Sequence, residues 1–163
     1  MPPVAYIAER RGYLLALARI FLGLLFLVTW VENLVKGLYW TNDYADFIQN
    51  YADKNVLPLY PAFLENVVIP NAAFFSKAQM VTELVVMGGF LLVGFLTPVA
   101  GIVSALFALN LLLATRGTPT EWGGTYAMLL VLALLVGLAQ AGRTWGVDAR
   151  LADRNPRPGL PLY

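Results

Sequence analysis

Residues 82–101, TELVVMGGFLLVGFLTPVAG, form an apolar run that is long enough to cross a lipid bilayer. The run carries a single carboxylate, Glu83, near one of its ends. An ionisable side chain inside such a segment is costly, so it requires a partner or a function. This stretch therefore predicts a membrane helix with a polar site built around Glu83.

The rest of the chain has the composition of a membrane protein. Apolar residues make up 59% of the 163 residues and charged residues only 13%, and the apolar excess lies in four blocks. A soluble domain of this length does not need so much apolar surface. We predict an all-α integral membrane four-helix bundle that forms a single transmembrane domain, 1–163. Its membrane helices are expected at about 13–36, 77–97, 99–115 and 125–141.

The connection between the first two membrane helices, 37–76, is long and rich in aromatic residues. Prolines divide it into short pieces, and two of these, 44–53 and 61–68, have an amphipathic pattern. We expect them to form short helices at the membrane interface. The aromatic residues indicate either an interfacial belt or a lid over a pocket between the helices.

The basic residues predict the orientation of the chain in the plasma membrane. Arg10 and Arg11 precede the first apolar block, whereas the connection carries more acidic than basic residues. Arginine-rich segments remain in the cytoplasm. We therefore expect a multi-pass protein with both termini and the tail, 142–163, in the cytoplasm. The arginines of this tail are Arg143, Arg150, Arg154 and Arg157.

Two absences from the composition restrict the chemistry. The chain has no cysteine and no histidine, which excludes Ser–His and Cys–His catalysis and the usual haem ligands. We predict neither a metal site nor a haem, so a redox function requires a diffusible cofactor or a partner protein. The net charge of +1 and the lack of a basic patch argue against nucleic acid as a partner.

Most polar residues of the apolar blocks are expected in the outer half of the membrane, beneath the aromatic connection. At a rise of about 1.5 Å per residue, Glu83 lies about 9 Å from the outer end of the second helix. Asn110 lies about 9 Å from the outer end of the third helix. The other candidates near this face are Trp30, Asn33, Lys36, Arg116 and Tyr126.

Two interpretations of Glu83 remain open at the level of the sequence. We expect it to be paired with Arg116 or Lys36, or else to be protonated. Lys36 also lies four residues after Glu32, a spacing that favours an ion pair within the helix. Glu83 is then either part of a structural pair that fixes helix register, or a proton-accepting or quinone-binding carboxylate.

Arg19 lies about 8 Å from the inner membrane face. We expect it to pair with Asp148, at the base of the fourth helix, or with backbone carbonyls at that face. Arg19 also begins a stripe on one face of the first helix, at spacings of four and three residues. The stripe continues through Gly23, Phe26, Trp30 and Asn33. We interpret Arg19 and Asp148 as structural polar residues.

Four segments together resemble the DoxX/DoxD family, whose named member is the small membrane subunit of a thiosulfate:quinone oxidoreductase. They are the Arg19-x-x-x-Gly23-x-x-Phe26 pattern, FLENVVIPNAAFF, TELVVMGGFLLVGFLTP and GRTWGVD. The similarity extends from about residue 13 to residue 151, and Arg19, Gly23, Glu83 and Asp148 match family positions. The resemblance implies a four-helix membrane bundle with a function linked to membrane quinone.

The resemblance leads to a first functional hypothesis, a redox subunit that passes electrons from a sulfur compound or a thiol-redox partner to quinone. Glu83 would handle protons, Arg116 or Lys36 would hold an anion, and Trp30 and Tyr126 would line the quinone site. The partner would be another membrane or redox subunit, or a second copy of the chain.

The alternative is a non-catalytic accessory subunit, which exposed glycine faces and an uncharged fourth helix would suit. A small carrier ranks last, because four short helices enclose little volume.

Overall fold

The computed structural model describes residues 3–154, and this part of the chain contains helices and no strand. The all-α fold class is therefore confirmed for the described residues. A short 3₁₀ turn, Ala141–Arg143, precedes the last helix. The helices are α1 (Pro3–Val35), α2 (Thr41–Lys54), α3 (Tyr60–Val93), α4 (Thr97–Ala114), α5 (Gly123–Leu138) and α6 (Val147–Arg154). Part of the predicted tail, 155–163, lies outside the described residues.

Three helical segments are long and apolar enough to cross a membrane: Arg10–Val35, Tyr60–Val93 and Thr97–Ala114. The fourth apolar helix, α5, is shorter, with 16 residues. A helix that crosses the hydrocarbon core at a right angle needs about 20 residues. Length and composition thus establish three candidate membrane spans.

Helix α3 is continuous but not regular. It contains α-helical turns, a 3₁₀ turn that includes Pro70, and two π-helical segments. The longer π-helical segment, Thr82–Phe90, contains Glu83. A π-helical turn carries an extra residue per turn and occurs frequently at functional sites. The helical geometry of α3 therefore changes from α to π around Glu83.

The bounds of α3 differ from those expected for the second membrane helix. The second amphipathic piece of the connection, 61–68, is not a separate helix but the first part of α3. At its other end α3 stops at Val93, because Gly94 adopts a left-handed conformation with φ of +71°. The sequence predicted that the second membrane helix ends at residue 97 and the third begins at residue 99, but Pro98 lies in the first turn of α4, where a missing N–H costs nothing.

Helices α1, α3, α4 and α5 share one core of buried apolar residues, and small residues bring these helices close together. A Cβ atom on Gly101 of α4 would lie 2.5 Å from the Cα of Gly137 in α5. A Cβ atom on Gly23 of α1 would lie 2.7 Å from the backbone nitrogen of Leu92 in α3. These glycines are buried between helices. The glycines therefore allow close packing between helices of the same chain.

A second, smaller core forms where α2 packs against the first half of α3. Tyr44, Tyr51 and Ala52 of α2 are buried against Leu64 and Val68 of α3. The amide of Asn55 fixes the end of α2 to the bundle by donating to the carbonyls at the end of α4, at 2.9 Å each. Helix α2 thus packs against α3 and is fixed to the end of α4.

Candidate functional site

The turn that ends α1 positions one of the side chains of the candidate site. The N–H of Gly37 donates to the carbonyl of Leu34, and the N–H of Leu38 donates to the carbonyl of Asn33. Gly37 has a φ of +77°, so this is the glycine-dependent turn that commonly closes helices. The turn reverses the chain and directs Tyr39 back into the bundle, where its side chain is fully buried.

Glu83 is nearly fully buried, with 1% of its surface exposed, and it is held by three side chains. The hydroxyl of Tyr39 donates to Oε2 at 2.5 Å, and the amide of Asn33 donates to the same oxygen at 3.1 Å. The amide of Gln79, one helical turn earlier in α3, donates to Oε1 at 2.7 Å. Both carboxylate oxygens are therefore satisfied by neutral donors.

Tyr39 is positioned for this contact from several directions. Its ring lies 6.3 Å from the ring of Trp30, measured between centroids. Its backbone carbonyl accepts a hydrogen bond of 2.9 Å from the ammonium group of Lys77. Burial, and then the hydrogen bond to Glu83, raise the pKa of the Tyr39 hydroxyl above its ordinary value. The hydroxyl therefore keeps its proton and remains a donor to Glu83.

Beside Glu83 lies a cavity of about 340 Å³, which we call the head cavity. This volume is within the range of roughly 300–1,000 Å³ typical of small-molecule sites. Helices α1, α2, α3, α4 and α5 all contribute to its wall. Its polar lining consists of Thr29, Glu32, Asn33, Lys36, Tyr51, Gln79, Glu83, Glu121, Thr125 and Tyr126. Its apolar lining consists of Leu25, Phe26, Leu38, Phe47, Phe107, Leu111 and Leu129.

A second carboxylate with phenol partners faces the head cavity from the α4–α5 loop. The hydroxyl of Tyr126 donates to Glu121 at 2.8 Å, and the hydroxyl of Tyr51 donates to it at 3.5 Å. Burial, followed by the charge of Glu121, raises the pKa of Tyr51 to about 12. Tyr51 is therefore a neutral donor that connects α2 to this loop.

Several residues predicted for the site lie together around the head cavity. Glu83, Asn33, Lys36 and Tyr126 all line it. Asn33 contacts the carboxylate of Glu83 directly, while Tyr126 contacts the second carboxylate, Glu121. The structure thus brings together four of the seven residues that were selected from the sequence for catalysis or ligand binding.

The other three predicted residues do not line the head cavity. Trp30 packs behind Tyr39 and supports the phenol that contacts Glu83. Asn110 accepts a hydrogen bond of 2.7 Å from the hydroxyl of Tyr60 and lines a neighbouring cavity. Arg116 is exposed, and its side chain does not extend inward.

The prediction that Glu83 pairs with Arg116 or Lys36 is wrong. Within residues 3–154, no lysine or arginine forms an ion pair with this carboxylate. Lys36 instead forms the alternative pair, with its ammonium nitrogen 3.4 Å from Oε2 of Glu32. Both partners of that pair are largely exposed. Neutral donors therefore replace the predicted cation at Glu83.

Four residues of the site were not predicted from the sequence: Tyr39, Gln79, Tyr51 and Glu121. Gln79 precedes Glu83 by four residues, a spacing at which helical side chains meet, so it was detectable from the sequence. Tyr39 carries no such signal, because it follows the turn at Gly37 and meets Glu83 only through the fold. Glu121 and Tyr51 meet for the same reason, across the α2 and α4–α5 segments.

The two structural polar residues lie at the other end of the bundle. Arg19 is fully buried and donates to the carbonyls of Leu91, Leu92 and Trp145 at 2.5, 3.0 and 3.1 Å. These contacts agree with the second of the two expected arrangements for Arg19, the one with backbone carbonyls. Leu91 and Leu92 belong to the last turn of α3, where carbonyls lack partners within the helix.

Asp148 binds the start of α4 rather than the guanidinium group of Arg19. Its two carboxylate oxygens accept from the backbone N–H groups of Leu96 and Thr97 at 2.8 and 2.9 Å. A cation at the carboxyl end of α3 and an anion at the amino end of α4 both complement the helix dipoles. Arg19 and Asp148 thus secure the two sides of the tight α3–α4 turn.

The wall of the head cavity combines seven apolar residues with three carboxylates, the ammonium group of Lys36, and four phenols or amides that can donate hydrogen bonds. Such a wall suits an amphipathic molecule with acceptor oxygens at one end, and a carboxyl group beside it can exchange protons with that molecule. No protein-family model matches this chain, and no curated protein or solved structure shows significant similarity to it.

Proposed function

We propose that this chain is a DoxX/DoxD-like integral membrane subunit that binds a membrane quinone in the head cavity. The observation that carries the proposal is the buried carboxyl group of Glu83, held by neutral donors at the wall of a largely apolar cavity. Quinone carbonyls accept hydrogen bonds, and quinone reduction consumes protons. A polar group beside an apolar cavity serves both needs.

The membrane arrangement belongs to the same proposal. Helices α1, α3, α4 and α5 form a four-helix bundle with both termini in the cytoplasm. Helix α5 is about 24 Å long at 1.5 Å per residue, so the bilayer thins locally around it. Helix α2 and the first turns of α3 then lie at the outer interface and cover the head cavity.

The proposed reaction is the two-electron reduction of quinone to quinol. The electrons come from a reduced sulfur compound, for example by joining two thiosulfate ions through a new S–S bond, or from a reduced thiol partner. The two protons required by the quinone oxygens reach the cavity through carboxyl groups, of which Glu83 is the catalytic residue. Electron delivery requires a partner subunit, because the chain contains no cysteine or histidine.

Arg116 has no part in this site, because it is exposed and outside the cavity wall. Lys36 and Asn33 remain candidate contacts for a quinone oxygen or an anion, since both line the head cavity. Tyr126 contributes through Glu121. Trp30 supports Tyr39, and Asn110 belongs to the neighbouring cavity.

The proposal is tested by titrating the purified protein in lipid nanodiscs with a short-chain quinone and recording the quenching of tryptophan fluorescence. We expect saturable binding that Glu83→Gln weakens by about tenfold, the effect of losing the one hydrogen bond that a protonated carboxyl group donates to a quinone oxygen. The matched control is Glu65→Gln, because Glu65 is exposed and outside the cavity.

Absence of saturable binding to the wild-type protein would overturn the proposal. Equal binding by the Glu83→Gln and Glu65→Gln variants would remove Glu83 from the site. If wild-type protein binds no quinone but copurifies with a stable membrane partner, and Glu83→Gln disrupts that complex, the chain is an accessory subunit instead.

A further inference from the structure

A second cavity, of about 260 Å³, adjoins the head cavity. We call it the side cavity. It lies between α2, α3 and α4, and its wall includes Tyr44, Ile48 and Val68. Five side chains line both cavities and therefore lie between them. They are Phe47, Tyr51, Gln79, Phe107 and Leu111.

The side cavity leads in turn to a groove on the surface. The groove is lined by Leu57, Pro58, Leu59, Tyr60 and Phe63, and we call it the surface groove. Tyr60 and Phe63 also line the side cavity. Leu59 is 82% exposed and Phe63 is 42% exposed, so the groove opens outward.

The walls become less polar from the head cavity through the side cavity to the surface groove. The head cavity contains the carboxyl groups of Glu83 and Glu121. The wall of the side cavity contains no ionisable group other than phenols, and its amides are those of Gln79 and Asn110. The surface groove is lined by three aliphatic residues and two aromatic residues. A ligand that fits all three spaces has a polar head and a long apolar chain.

We propose that the side cavity and the surface groove bind the isoprenoid tail of the quinone whose headgroup occupies the head cavity. This inference rests on the proposed function and adds a subsite to it. The tail leaves the protein past Tyr60 and Phe63, between the start of α3 and α4, where the hydrogen bond between Tyr60 and Asn110 forms one edge of the exit. Asn110 is thus an exit residue rather than a headgroup ligand.

The test compares a tailless quinone with the same quinone carrying an isoprenoid tail, using three proteins in nanodiscs of the same lipid. Ala78 lines the side cavity, so Ala78→Phe fills it. Ala73→Phe is the matched control, because Ala73 lies on the same helix and is exposed. We expect the wild-type protein and the control to bind the tailed quinone at least about tenfold more tightly than the tailless one.

The Ala78→Phe variant should lose this tail-dependent gain and keep its affinity for the tailless quinone. Comparing variants in one lipid cancels the partitioning of the tail into the bilayer. If the gain persists in Ala78→Phe, or if the wild-type protein shows none, the tail subsite is refuted while the headgroup site stands. If the wild-type protein binds neither quinone, the proposed function itself fails.

A second measurement does not depend on the folding of any variant. A quinone with a photoreactive group at the end of its tail should crosslink the wild-type protein within residues 57–63. Crosslinks confined to other lipid-facing helices, such as α5, would overturn the assignment of the surface groove.

Discussion

Helices α1, α3, α4 and α5 bury ionisable groups near both ends of their shared core, and the partners of these groups differ between the two ends. At one end, Arg19 and Asp148 bind backbone groups of the α3–α4 turn. At the other end, side chains alone hold Glu83 beside a cavity. Backbone groups cannot move without unfolding a helix end, whereas side chains can rotate toward a ligand.

The comparison teaches how to distinguish a structural charge from a functional one. Neither Arg19 nor Asp148 lines the head cavity or the side cavity. Both satisfy helix ends that would otherwise remain unpaired. Glu83 satisfies no backbone group, and its partners belong to three separate parts of the chain. A carboxylate that the fold does not need for its own backbone is the better candidate for chemistry.

The largest expected effect is on stability, at the Arg19 end. Arg19→Met removes the donors to the last carbonyls of α3 and leaves the buried Asp148 without a nearby positive charge. We expect a loss of about 3–5 kcal/mol in the free energy of unfolding, because three carbonyls lose their donor and each buried acceptor left unpaired costs about 1–3 kcal/mol. Denaturant unfolding in detergent micelles measures it. Arg11→Met is the control, since Arg11 is exposed, and equal stability of the two variants would contradict the structural role.

A smaller effect is expected at the Glu83 end. Glu83→Gln keeps an acceptor for Tyr39 and preserves the size of the side chain, so we expect a loss of about 1 kcal/mol in the free energy of unfolding. The same unfolding experiment applies, with Glu65→Gln as the exposed control. If Glu83→Gln destabilised the protein as much as Arg19→Met, Glu83 would have a structural role like that of Arg19, and the distinction between the two ends would be wrong.

The smallest expected effect is on the pKa of Tyr51, beside Glu121 at the head cavity. Burial and the charge of Glu121 raise the pKa of Tyr51 to about 12. The neutral phenol therefore stabilises the fold fully below pH 10, the ordinary pKa, and this contribution is lost as pH rises through 12. Glu121→Gln should lower the pKa of Tyr51, because the neighbouring negative charge disappears while the burial remains.

Tyrosinate absorbance measures this pKa, and subtracting the titration of Tyr51→Phe isolates the signal of Tyr51. A wild-type Tyr51 that titrates at its ordinary pKa would show that it is neither buried nor close to Glu121. A pKa that does not change in Glu121→Gln would show that burial alone is responsible.

The sequence by itself determined the all-α class, the apolar helices and the buried position of Glu83, because these follow from local composition and length. It also determined that polar residues of α1 lie on one face, since spacings of three and four residues repeat around a helix. The contact between Gln79 and Glu83 also follows from a spacing of four residues, although Gln79 was not among the predicted site residues.

Only the tertiary structure decided which groups meet. Tyr39 reaches Glu83 because a glycine turn reverses the chain, and Asp148 reaches the start of α4 because the turn after α5 returns to the α3–α4 link. Contacts between residues far apart in the chain depend on how the helices pack, and the residues of one segment do not determine that packing. For that reason the sequence predicted either a cationic partner for Glu83 or a protonated carboxyl group, while the fold supplied a phenol and two amides.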